Sequence, residues 1–170
     1  RRKWIWLNGK MSKKLNKKEI EKFSRQIILR NIGALGQKKI QETKVLIIGM
    51  GGLGCPAAEF LIRSGIGTLG LADYDKISLS NIHRQTLYTE KDINKSKVKI
   101  SKKKLNEINP RTKINIFDYK INKIMLSKII KNYDYIIDGT DNFESKFLIN
   151  DLSLKYKKFL VAGAISKFDG

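Results

Sequence analysis

One cysteine, one histidine and two prolines in 170 residues leave several kinds of chemistry without material. Cys55 alone cannot close an intrachain disulfide or build a Cys-rich metal site. A lone thiol fits a reducing compartment, and the cytoplasm is the expected location. No apolar run approaches the roughly 20 residues of a membrane span, so no membrane partner is expected. The apolar stretch near the N-terminus, Trp4 to Leu7, is shorter than the roughly 7 to 15 residues of a signal-peptide core, and no export signal is expected.

Acidic residues are also scarce: 16 against 35 basic ones, for a net charge of +19. Most of the basic residues are lysines, scattered along the chain beside Ile and Asn. Nucleic-acid surfaces gather Arg and Lys on one face with interleaved aromatics, whereas this scatter is also what an AT-rich genome produces. The charge helps attract an acidic protein or a nucleotide without identifying either.

With 41% hydrophobic residues, the chain can bury one well-formed core. Asn16 followed by Glu19 has capping-box spacing, and Ile20, Phe23 and Ile27 recur at helical intervals, which predicts a helix over 17–30. A second short helix is predicted around 36–42. Val45-Leu46-Ile47-Ile48 reads as a parallel strand buried on both faces. Pro56 suits a first helical turn, and Gly65 and Gly67 close that helix before a strand over 68–72 that ends at Asp73. Val98, Ser101, Leu105 and Ile108 share a helix face that Pro110 stops. A strand over 113–118, helices near 123–131 and 144–156, and strands at 135–138 and 159–163 follow. Strands and helices therefore alternate, which predicts an α/β, Rossmann-like, doubly wound and mainly parallel sheet with helices on both faces.

The first strand runs into Gly49-Met50-Gly51-Gly52-Leu53-Gly54, a G-x-G-x-x-G loop in the strand-to-helix setting that binds phosphate. Gly49 allows the tight turn, Gly51 lets a phosphate approach the backbone, and Gly54 lets the helix pack on the strand. The helix N-terminus supplies free N–H groups and positive dipole. Asp73, 19 residues beyond Gly54, ends the second strand where a carboxylate can accept ribose hydroxyls. These features suit ATP and a nicotinamide dinucleotide equally, so an NAD-binding dehydrogenase or a non-catalytic nucleotide sensor remains open at this point.

Asp73-Tyr74-Asp75-Lys76-Ile77-Ser78-Leu79-Ser80-Asn81-Ile82-His83-Arg84-Gln85 then emerges as a polar loop where a dehydrogenase would return to helix. With Arg25-Gln26-Ile27-Ile28-Leu29-Arg30 upstream and Asp138-Gly139-Thr140-Asp141-Asn142 downstream, the chain resembles the MoeB/ThiF/HesA group, bacterial relatives of ubiquitin-activating enzymes. The resemblance runs from about Phe23 to Gly170.

That resemblance implies ATP-dependent adenylation of the C-terminal Gly-Gly carboxylate of a ubiquitin-like sulfur-carrier protein, serving thiamine or molybdopterin synthesis. ATP and Mg²⁺ would be the cofactors. By the same resemblance, the cradle comprises Gly49, Gly51, Gly52, Gly54 and Asp73, and Asn81, Arg84 and Lys97 reach the phosphates. Asp141 would hold Mg²⁺, with Asn142 beside it. Arg25 would enter the ATP site of a neighbouring subunit, which requires a homodimer. Plainer roles stand beside these: a solvated helix face for Lys97, a surface charge for Arg25, a helix cap for Asp141. No acid–base role is assigned to His83, because an ionised carboxylate needs no base, and Cys55 is expected to pack as a small apolar residue.

Relatives in this group carry further strands and often two Cys-x-x-Cys pairs that bind structural zinc, none of which occurs here. A chain that opens on Arg, with Met11 as a more ordinary start, reads as an N-terminal fragment. Residues 1–15 are expected to be a poorly ordered or non-native extension, and 16–170 a ThiF-type nucleotide-binding domain truncated on its C-terminal side. A tRNA-modifying enzyme of the same fold, resembling threonylcarbamoyladenosine dehydratase, is the alternative, with tRNA as partner.

Overall fold

The structure is a computed structural model that describes the backbone of residues 4–7, 10–13 and 15–165, with side chains from 15 to 165. The expectations for residues 1–3, 8–9, 14 and 166–170 lie outside the described residues. Strands β1 (Trp4–Leu7) and β2 (Lys10–Lys13) pair as an antiparallel hairpin, where the sequence predicts no element.

Helix α1 (Lys17–Lys22) begins at the expected capping box, with the Asn16 side chain accepting from Glu19 N and the Glu19 carboxylate accepting from Asn16 N. The single helix predicted over 17–30 is instead broken into α1 and α2 (Ser24–Ile27). Phe23, at the break, turns inward and is 5% exposed, filling the space beside Gly65. Burying that ring beside Gly65 outweighs one continuous helix, because six- and four-residue helices gain little from propensity alone. Helix α3 (Gly33–Glu42) starts three residues earlier than predicted and carries the buried Gln37, whose amide donates to Ser64 O at 2.9 Å.

The main sheet contains β3 (Lys44–Ile48), β4 (Thr68–Ala72), β5 (Lys113–Phe117), β6 (Tyr135–Asp138) and β7 (Phe159–Ala162). Its order is β5-β4-β3-β6-β7, and every pairing is parallel. Helices α4 (Gly54–Ser64) and α5 (Lys97–Ile108) cover one face, and α6 (Lys123–Ile129) and α7 (Phe143–Lys155) cover the other. Along β3 the side chains alternate between two cores: Val45 and Ile47 join the α4/α5 core, Leu46 and Ile48 the α6/α7 core. That alternation is why four consecutive apolar residues were needed there.

The chain moves outward from β3 through β4 to β5, then crosses back to β6 on the other side. The carboxyl ends of β3 and β6 therefore form the switch point of the sheet, where a crevice opens between loops leaving in opposite directions. Among the described residues no helix is long and apolar enough to cross a membrane.

Candidate functional site

The glycine loop fills the crevice above β3. Gly49 has φ +93°, and a Cβ there would stand 2.7 Å from Gly139 O, so both left-handed backbone and close approach require glycine. A Cβ on Gly54 would collide with Gly49 O, which lets α4 start immediately over the strand. Beneath the loop, Met50 is held at both its polar groups. Its N–H donates to Asp73 Oδ2 at 2.7 Å, and its carbonyl accepts from the Tyr88 hydroxyl at 3.0 Å and from Cys55 Sγ at 3.4 Å. The N–H groups of Gly51, Gly52, Leu53 and Gly54 meet no acceptor among the described residues. Four such donors at the start of an 11-residue helix form an anion cradle.

Cys55 is fully buried, and burial pushes its thiol up to about 11. Tyr88 is raised as well, chiefly by burial, while its hydroxyl also bonds Ser101 Oγ at 3.1 Å. Both side chains are neutral supports of the loop, as expected for Cys55.

Asp73 ends β4 and directs its carboxylate inward. Its Oδ1 accepts from Asp75 N at 2.8 Å and its Oδ2 from Met50 N, leaving a lone pair on each oxygen for a hydroxyl donor. The following loop is stitched to the approach of α5 by Ile77 N to Lys95 O at 2.9 Å and Lys97 N to Asp75 O at 3.1 Å. Lys97 is thereby drawn inside. Its side chain is 7% exposed, with Nζ 2.8 Å from Asp75 Oδ2 and 4.0 Å from Asp73 Oδ2. The solvated-face reading of Lys97 is overturned: among its many lysine neighbours, this one is buried.

Asn81 caps its own turn, its Oδ1 accepting from Ser78 N at 3.1 Å, and its amide NH₂ has no partner among the described residues. Three residues on, the aliphatic part of Arg84 lies over Gly52, 3.6 Å from where a Cβ would be. Its Nη1 donates to Ser80 O at 2.7 Å and meets His83 Nε2 at 2.9 Å. Arginine has only donors, so His83 accepts on Nε2 and carries its proton on Nδ1. Gln85 sits 3% exposed with its Nε2 3.8 Å from the position of a Cβ on Gly51, while its Oε1 has no partner among the described residues.

Across the crevice, Gly139 packs its backbone on Gly49 and donates to Ile48 O at 2.8 Å. Asn142, not Asp141, caps α7, accepting from Ser145 N at 2.9 Å. The cap alternative for Asp141 is thus filled by its neighbour, and the exposed Asp141 carboxylate has no protein partner among the described residues. No cluster of three or more potential metal-ligating side chains exists among the described residues. A free carboxylate on the loop whose Gly139 packs on Gly49 could nonetheless help hold Mg²⁺, which takes most of its other ligands from phosphates and water. Buried Asp138 is already engaged, by Thr140 and Lys146.

Arg25 stands apart. It is exposed on α2, and its neighbour Gln26 donates to Ser64 O at the far end of α4 from the glycine loop. Eleven residues of helix separate the two by about 15 Å, beyond the reach of the side chain within one chain. A cleft of about 440 Å³ also lies at that end, lined in part by Arg111 and Glu19, which pair at 3.1 Å. Sequence reasoning missed Gln85 and Lys146 and left Asp75 and Asp138 unassigned. Only the two aspartates carried a signal, as acids at the carboxyl ends of strands.

The model of the ThiF family matches residues 23–170. The chain is 42% identical over 162 residues to the adenylyltransferase and sulfurtransferase MOCS3 of Drosophila willistoni, covering 95% of this chain and 35% of that protein. It is 45% identical to a probable molybdopterin-synthase adenylyltransferase of Porphyra purpurea (89% and 40% covered) and 35% identical to the sulfur carrier protein adenylyltransferase of Thermus thermophilus (91% and 57%). Among solved structures, MccB of E. coli with ATP is 28% identical, with a TM-score of 0.71 over 75% of this chain and 38% of that one. The chain spans between about a third and somewhat over half of these proteins' lengths.

Proposed function

We propose that this chain, which belongs to the ThiF family, is the nucleotide-binding part of an enzyme that uses ATP to adenylate the C-terminal Gly-Gly carboxylate of a ubiquitin-like sulfur-carrier protein. The observation that carries the reading is the row of four unpartnered N–H groups in the glycine loop, overlain by Arg84 at the switch point, with the unpaired Asp141 on the facing loop. The adenylyltransferase names of the relatives from Porphyra and Thermus point the same way.

In this reading ATP lies along the crevice with its ribose hydroxyls on Asp73 and its phosphates on the N–H groups of the loop. An oxygen of the carrier carboxylate forms a bond to the α-phosphorus as the bond to the bridging oxygen of pyrophosphate breaks, and pyrophosphate leaves. The carboxylate is already ionised, so no side chain needs to accept a proton. Negative charge grows on the phosphate oxygens, and fixed cations are the main help a protein can give. Arg84 offers a planar fork and Asn81 an amide donor. Lys97 stands ready as a buried ammonium that can exchange Asp75 for a phosphate oxygen. A Mg²⁺ ion on Asp141 would neutralise charge on the triphosphate. Arg25, too far from its own chain's loop, would serve the site of a second subunit in a homodimer.

The test is ATP–pyrophosphate exchange by the full-length protein with carrier proteins ending in Gly-Gly, beside an Arg84→Ala control. Carrier-dependent exchange that is lost in the control supports the proposal. ATP binding without exchange for any carrier sinks it and moves a tRNA substrate to the front.

A further inference from the structure

One ion pair, with Asp138 buried and Lys146 partly so, ties together the ends of β6, α7 and β7. Asp138, 2% exposed, accepts on Oδ1 from the N–H of Thr140 at 2.9 Å and from its hydroxyl at 2.6 Å. Its Oδ2 accepts from Lys146 Nζ at 3.2 Å, and the same ammonium donates to Gly163 O at 2.8 Å. The backbone closes the ring, with Gly163 N donating to Asp138 O at 3.0 Å. Both oxygens of Asp138 are occupied, whereas Asp141, three residues on, has no partner among the described residues.

Asp138 closes an Asx-type turn across Gly139, the residue whose backbone rests on Gly49. The turn therefore decides where the chain leaves the glycine loop and where Asp141 arrives. Lys146 decides something else. Without its ammonium, a buried carboxylate at the carboxyl end of β6 would be an uncompensated charge, and the turn it closes would open to let it reach water.

We propose that Asp138, Thr140 and Lys146 form a clamp that positions Asp141 for the divalent cation, by holding the adjacent turn closed and by keeping Asp138 paired with an ammonium. The inference rests on the assignment of Asp141 to the cation made above. In metal sites, groups that orient a ligand contribute on the order of tenfold or more to affinity.

The experiment measures Mn²⁺ affinity of the full-length protein by electron paramagnetic resonance, in the presence of a saturating non-hydrolysable ATP analogue. Binding of the analogue without divalent ions is measured separately by calorimetry. Lys146→Met and Asp138→Asn are expected to weaken Mn²⁺ on the order of tenfold and to leave metal-free analogue binding unchanged. In Asp138→Asn the amide NH₂ faces the ammonium, donor against donor. Lys146→Arg, whose fork can reach both acceptors, restores the affinity, which a general loss of packing would not. Wild-type Mn²⁺ affinity in Lys146→Met and Asp138→Asn, with Asp141→Asn impaired, overturns the clamp and leaves the assignment of Asp141 standing. Unchanged affinity in Asp141→Asn overturns that assignment and the clamp with it. Where the two buried-pair variants do not fold, Thr140→Val decides, since it removes only the 2.6 Å hydroxyl bond: weakened Mn²⁺ binding supports the clamp and unchanged binding refutes it.

Discussion

The ammonium of Lys97 stands 2.8 Å from the carboxylate of Asp75, with the lysine side chain 7% exposed and the aspartate 49% exposed. A buried cation is thus held by a partner that solvent and ligands can reach. In the proposed ATP site an incoming phosphate would take the place of Asp75, while Lys97 stays where it is. Lys97→Met is expected to lower carrier-dependent pyrophosphate exchange by roughly a hundredfold, the scale of one preorganised charge-stabilising donor. Asp75→Asn is expected to cost far less. Equal losses in the two variants would mean that the pair matters for folding, and thermal melts of both would show it.

The strand and glycine turn of the candidate site were legible in the sequence because the constraints on them are local. A parallel strand buried on both faces needs an unbroken apolar run, and Val45 to Ile48 supply it. The turn after it must admit left-handed backbone and a close helix, and Gly49 and Gly54 do so. Features that depend on tertiary contact were not legible. Lys97 sits in a run of lysines that reads as solvated, and only the stitching of its backbone to the loop after β4 pulls it inside. The helix predicted over 17–30 fails at Phe23 because the space beside Gly65 claims that ring, and no spacing rule contains Gly65. Lys146 meets Asp138 only after the chain has turned from β6 into α7.

Gly54→Ala isolates the cost of the helix–strand approach. The added methyl meets Gly49 O, a backbone atom that the sheet prevents from moving away, since Gly49 N is bonded to Ala72 O at 2.8 Å. Overpacking of this kind costs about 1–3 kcal/mol. A lower melting temperature and weakened nucleotide binding should appear together. A variant that melts like the wild type would show that the loop can relax.

Asp92 is a purely structural carboxylate with a pH signature. Burial would raise it, but hydrogen bonds from Lys104 at 2.6 Å and from the Thr89 hydroxyl and N–H at 2.8 and 3.1 Å outweigh that and hold it at about 2, below its ordinary value of 3.8. A carboxyl lowered by folding contributes stability above its unfolded value, and that contribution is lost as the pH falls through the folded one. Asp92→Asn is expected to cost about 1–2 kcal/mol at neutral pH. In urea titrations its deficit should shrink between about pH 4 and pH 2. A deficit that persists unchanged at pH 2 would assign the effect to packing.

Gln85 presents the opposite situation, a buried polar group whose acceptor finds nothing to accept. Its Oε1 is unpartnered among the described residues although the residue is 3% exposed and its other amide atom lies beside Gly51. An orphaned buried acceptor costs roughly 1–3 kcal/mol, a cost the fold has no reason to bear unless a ligand or its ordered water supplies the donor. Gln85→Leu, close in size and without the acceptor, should therefore melt at the same temperature or higher in the absence of nucleotide. The rise in melting temperature on adding ATP and Mg²⁺ should be smaller than in the wild type. A variant that is destabilised without nucleotide yet shows the full rise on adding it would make Gln85 a holder of structural water instead. The two melts together separate a cost borne for binding from one borne for folding.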